Sequence, residues 1–182
     1  ETEATTEPKG AAVLEGAIAA VLEGAAENDA FNRLIVDVGL SPQAVVLFRA
    51  WFRYLRQAGL PYGLTTVVDA LRRAPKLATA LIERFTAAHD PKAKGDIAAA
   101  DAAIAAGLDA VSAIDDDRIL RSFRDMIAAT LRTNAFAEAG KEALAFKLDS
   151  HKIPGLPAPL PWREVWVYSP RVEGIHLRAG PV

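Results

Sequence analysis

Apolar side chains recur every three to four residues through most of this chain and every second residue near its end, so the sequence changes its structural period once. The opening ETEATTEPKG is polar and has no apolar period, which predicts a linker or frayed end over residues 1–10. Residues 11–26 repeat VLEG at 13–16 and 21–24, an echo too short for a solenoid, and read as a weak amphipathic helix loosened by Gly16 and Gly24. Asn28 is the predicted N-cap of DAFNRLIVDVG, with Phe31, Leu34, Ile35 and Val38 at helical spacing and Gly39 as the stop.

Ser41–Pro42 is the clearest start signal, a capping hydroxyl followed by proline in the first turn. The helix it opens runs to Gly59, with Ala44, Leu47, Phe48, Trp51 and Leu55 on an apolar face and Arg49, Arg53 and Arg56 on a basic one. TTVVDALRRA forms the next helix, closed before Pro75, and Lys76–Ala88 another, carrying Leu77, Leu81, Ile82 and Phe85. Residues 95–114 place Ile97, Ile104, Leu108 and Val111 on one stripe among alanines. Asp115–Asp117 are predicted to cap a helix over 118–136 whose core stripe is Leu120, Phe123, Ile127 and Leu131, with Arg121 and Asp125 as i,i+4 partners.

The period then becomes two. Leu144, Phe146 and Leu148 alternate with smaller or polar neighbours; Trp162, Glu164, Trp166 and Tyr168 alternate with Arg163, Val165 and Val167; Ile175 and Leu177 alternate with His176 and Arg178. IPGLPAPLP must cross between strands in extended form, because proline offers no ladder donor. Ser169–Pro170–Arg171 is short enough for a hairpin. The fold class expected is mainly α: a multi-helix bundle over 11–137, then a small antiparallel β segment over 138–182, a truncated α+β arrangement. Three strands with an open edge make a poor sheet, so the sheet is expected to continue in residues beyond this chain.

Composition narrows this picture little. With 182 residues, 51% hydrophobic and 24% charged, the chain suits one folded unit with a sizeable core. A formal net charge of −2 argues against a nucleic-acid or anionic-membrane partner, and the absence of cysteine fits a cytoplasmic setting. The apolar run at 11–26 is broken by Glu15, Gly16, Glu23 and Gly24, so no membrane span is expected.

Chemistry is sparse. GxGxxG, GxxxxGK[ST], HExxH and GxSxG are all missing from the sequence. His89, His151 and His176 lie far apart, with His89 and His151 in polar loops and His176 on a strand face beside Arg178. Arg49, Arg53, Arg56, Arg72 and Arg73, with Trp51, Phe52 and Tyr54 between them, could be offered as a phosphate or nucleic-acid patch; a solvated or ion-paired face fits the slightly acidic chain better. Asp115, Asp116 and Asp117 suit a helix start better than a divalent cation. No catalytic, cofactor-binding or metal-ligating residue is assigned.

DAFNRLIVDVGLS, RYLRQAGLPYG, DDRILRSFRDMIAATLRTNAF and ALAFKLDSHKIPGLPAPLPWREVWVYSPRVEGIHLRAG together resemble the large-subunit bacterial NAD-specific glutamate dehydrogenases, over residues 28–182. The order strand, proline-rich link, strand, YSPRVEGIHLR is its most specific part. The resemblance implies a helical-motif region followed by the first strands of a catalytic substrate domain, within a much longer subunit. It implies that the intact enzyme uses NAD to oxidise L-glutamate, while this piece is an inactive structural or regulatory scaffold. The catalytic lysine and nucleotide-binding fold lie outside it, and no cofactor is bound here. Its partners are then the remainder of the same polypeptide and further copies in a homo-oligomer. A free-standing helical interaction module is the alternative, its β tail pairing with a partner strand.

Overall fold

The computed structural model describes residues 9–24, 26–138 and 142–181, so the predicted linker lies outside the described residues except for Lys9 and Gly10. These two already belong to the first helix. Helix α1 spans Lys9–Leu22, α2 Arg33–Asp37, α3 Pro42–Gln57, α4 Leu64–Arg73, α5 Pro75–His89, α6 Ile97–Asp109 and α7 Ile114–Ala129. Strands β1 (Thr130–Thr133), β2 (Leu144–Leu148), β3 (Arg163–Tyr168) and β4 (Glu173–Arg178) follow.

The local signals explain most of these boundaries. The Ser41 hydroxyl accepts from the Ala44 amide at 3.2 Å with Pro42 in the first turn, and Gly39 takes a φ of 77°, which a side chain would oppose. The cap before α2 is Asp29 rather than Asn28: its carboxylate accepts from the Phe31 amide at 3.0 Å and opens a 3-10 turn at Ala30–Asn32. The stripe on α6 is narrower than expected, since Ala100, Ile104 and Leu108 are buried, Ile97 is exposed and Val111 lies past the helix end.

The largest departures concern α7. It begins at Ile114, so Asp115–Asp117 sit inside its first turn, where the carboxylates face the positive end of the helix dipole without capping it. Arg121 pairs with Asp117 at 2.8 Å, one turn back, and Asp125 pairs with Arg124. The helix stops at Ala129, and the predicted last turns form β1 instead. β-branched Thr130 and Thr133 favour the extended backbone, and the Thr130 hydroxyl donates to the Met126 carbonyl at 2.9 Å. A bulge between Thr130 and Arg132 leaves Leu131 outside the ladder and 39% exposed, not in the core.

Among the described residues the sheet therefore has four strands, in the order β1-β2-β3-β4, and every pairing is antiparallel. Its inner face buries Phe146, Leu148, Glu164, Trp166 and Tyr168 against the helices. Helices and sheet share one core, threaded by an aromatic series from Phe123 through Phe48 and Trp51 to Phe85, which meets Phe146 of β2. Gly107 allows α6 close to α5: a Cβ there would sit 3.0 Å from that of Leu77.

Strand β4 differs from the rest. Among the described residues it pairs with β3 alone, and Ile175 and Leu177 remain exposed because the helical layer ends before reaching it. Few buried contacts and one free ladder edge lower the cost of local opening. Hydrogen exchange is expected to be fast at 173–178 and slow along α7. Equal protection in the two segments of a monomer would contradict this.

Candidate functional site

The seam between α3 and β3 gathers the most constrained polar groups of the described residues. Helix α3 turns Arg49, Ala50 and Tyr54 toward the sheet, while the two-residue period of β3 turns Glu164, Trp166 and Tyr168 toward the helix. The Trp166 indole N–H donates to the Ala50 carbonyl at 3.0 Å, and its ring meets Tyr54 edge-on at 6.0 Å. The Tyr54 hydroxyl donates to Glu164 Oε2. Burial first, and the Glu164 carboxylate second, push the Tyr54 phenol far above its ordinary range, so it stays a donor.

A second knot lies beside it. Arg49 is 1% exposed and grips Asp29 with two bonds, Nε to Oδ2 at 2.7 Å and Nη2 to Oδ1 at 2.8 Å, while Nη2 also donates to Asn32 Oδ1 at 2.9 Å. Glu27 stands 3.3 Å from the same guanidinium and pairs with Arg53 at 3.2 Å. The Tyr168 hydroxyl is buried next to this knot without a hydrogen-bond partner among the described residues. Its burial raises the phenol pKa, and Arg49 only partly offsets that.

These groups hold the fold together; they do not form a nucleophile–base pair. Among the described residues no three His, Asp or Glu side chains converge as a metal site. The arginines singled out by sequence are nearly all engaged. Arg56 donates to the Tyr62 carbonyl at 3.0 Å, Arg72 pairs with Asp37 and Asp69, and Arg73 makes two 2.7 Å bonds to Asp116. Trp51, Phe52 and Tyr54 are core residues, so no aromatic platform faces solvent there. Asp115 accepts from the Tyr62 hydroxyl at 2.7 Å, leaving each of the three aspartates with a partner.

The histidines stay apart. His151 lies 3.6 Å from Asp149, and His176 sits exposed on β4. His89 is not a loop residue but the last residue of α5, half-buried with its ring 4.8 Å from Phe85. Burial, with Arg84 adding to it, holds its imidazole below the ordinary 6.5. The unfolded chain therefore takes this proton first as pH falls, so stability contributed by neutral His89 is lost below about pH 6.5. Urea midpoints at about pH 8 and about pH 5.5 should fall less in His89→Gln than in the unaltered chain; identical slopes would remove His89 as the cause.

Comparison with known proteins assigns these elements. Residues 26–91 match the family described as glutamate dehydrogenase, helical motif 3, and residues 103–182 match bacterial NAD-glutamate dehydrogenase, catalytic domain. The chain belongs to the bacterial NAD-glutamate dehydrogenase family. It is 44% identical over 176 residues to the NAD-specific glutamate dehydrogenase of Mycobacterium tuberculosis, an alignment covering 91% of this chain and 11% of that protein. The NAD-specific glutamate dehydrogenase of Pseudomonas aeruginosa is 40% identical over 183 residues, covering 93% of this chain and 11% of its own length. The chain thus spans about a tenth of the length of these relatives.

Within this glutamate dehydrogenase family the matched segments divide across residues 92–102, the loop before α6 and the start of that helix, yet the seam joins them. Arg49, Ala50 and Tyr54 come from the helical motif; Glu164, Trp166 and Tyr168 come from the catalytic-domain match. Among the described residues the sheet is antiparallel throughout and carries no parallel βαβ turn. No helix among them is long and apolar enough to cross a membrane.

Proposed function

We propose that this chain is the part of an NAD-dependent glutamate dehydrogenase that braces the sheet of the substrate domain. The intact enzyme converts L-glutamate, NAD and water into 2-oxoglutarate, ammonium and NADH. NAD, bound elsewhere in that enzyme, accepts the hydride from the substrate carbon. The share of these residues is positional: Trp166, Glu164 and Tyr168 lock β3 onto α3, so whatever is built along the sheet starts from a fixed plane. The observation that carries the reading is the identity of 40–44% running through both matched segments, which here form one continuous core. The bare β4 edge supports it, since a further strand of a longer polypeptide could complete its ladder. The purified chain mixed with L-glutamate and NAD is expected to yield no NADH above a protein-free blank. Steady NADH formation that scales with chain concentration would overturn the scaffold assignment.

A further inference from the structure

The VLEG echo has a use that bracing the sheet does not require. Positions four apart on a helix lie on an inclined ridge, so Leu14, Ile18 and Leu22 form one such row along α1, turning by about 80° from end to end. All three point to solvent, 42%, 51% and 82% exposed. Glu15 and Glu23 repeat in step and make an acidic row beside it. The helix meets its own bundle with its small side, Ala17 and Ala20, which line an apolar cleft of about 330 Å³ against Val45 and Val46. None of the described α1 residues joins the buried core.

The outer face of the sheet is the complement of that ridge. Its centre is small and apolar: Ala145 lies opposite Val167, with Val165 two residues along. Its rim carries cations, with Arg132 opposite Lys147 and Arg163 opposite Arg178, while His176 lies opposite Val165. Arg163 is paired with Asp149; Arg132, Lys147, His176 and Arg178 have no ion-pair partner among the described residues. Four strands at about 4.8 Å spacing make a face some 14 Å wide. The ridge from Leu14 to Leu22 is about 12 Å long, so the two match in size as well as in charge and polarity.

We infer that α1 docks on the outer sheet face of a second copy of this chain, its apolar ridge over Ala145, Val165 and Val167 and its glutamate row against the cationic rim. Reciprocal docking gives a closed dimer in which both patches are used twice, which is how two small surfaces approach the roughly 1,200–2,000 Å² of a stable interface. The inference does not rest on dehydrogenase chemistry.

Sedimentation equilibrium of the purified chain tests it. A reversible dimer is expected, its Kd rising about tenfold or more from low to high salt and about tenfold or more with Ile18→Glu. A chain carrying Glu15→Lys and Glu23→Lys should be monomeric, as should one carrying Arg132→Glu and Lys147→Glu. Mixing these two should restore a heterodimer, because every reversed row then meets a reversed rim. All the substituted sites are exposed or half-exposed, and circular dichroism checks that each variant is folded. A chain that stays monomeric at its solubility limit overturns the inference and leaves the ridge to some segment outside this chain. A dimer indifferent to Ile18→Glu, or a mixture that fails to re-associate, overturns it equally by placing the contact elsewhere, such as at β4.

Discussion

A Trp166→Ala chain is expected to unfold with about 4–5 kcal/mol less stability than the unaltered protein, the high end for deleting a buried tryptophan. Trp166 is fully buried, fills the space between β3 and α3, and meets Tyr54 edge-on. Alanine removes that packing together with the indole N–H bond to the Ala50 carbonyl at 3.0 Å. The two contributions separate in Trp166→Phe, which keeps most of the ring and loses only the indole donor, about 0.5–1.5 kcal/mol, because the Ala50 carbonyl retains its partner within α3. Urea unfolding followed by circular dichroism in the helical region measures both. A loss under about 2 kcal/mol in Trp166→Ala would mean that the sheet is not held through this residue.

Removal of Asp29 should rank next. Arg49 is 1% exposed, so Asp29→Ala leaves a buried guanidinium with only Asn32 and the more distant Glu27 to compensate it. Breaking a buried pair from one side costs about 3–5 kcal/mol, and the cap on the turn at Ala30–Asn32 is lost with it. Arg49→Met should cost less, because Asp29 keeps its bond to the Phe31 amide and regains contact with water. The double variant should then be more stable than the sum of the single losses implies, by about 1–3 kcal/mol of coupling. Strict additivity would show that the two residues do not act as a pair.

The sequence announces elements that depend on neighbours in the chain and is silent on those decided across it. Ser41–Pro42 and Gly39 act locally, and both end up where their chemistry places them. The alternation in residues 162–168 survives because one face of β3 is buried and the other is not. Leu131 misled the helical reading because it holds the next position on the Leu120–Phe123–Ile127 stripe; only pairing with β2, distant in sequence, makes TLRT a strand. Arg49 likewise looks like one member of a basic face. Its burial follows from Asp29, twenty residues earlier, and no spacing rule connects the two. Glu164 was legible as lying on the face of Trp166 and Tyr168, but its role as acceptor for Tyr54 needed the packed structure.

Residues 92–102, between the two family matches, look like a convenient place to exchange halves between relatives. The seam says otherwise. A chimera spliced there would inherit Ala50 and Tyr54 from one parent and Glu164 and Trp166 from the other, so hydrogen-bond donors and acceptors from separate lineages would have to match across a dry contact. Recombination within residues 92–102, which take in the start of α6, should tolerate divergence on that helix far more readily than a single mismatched exchange on α3 or β3.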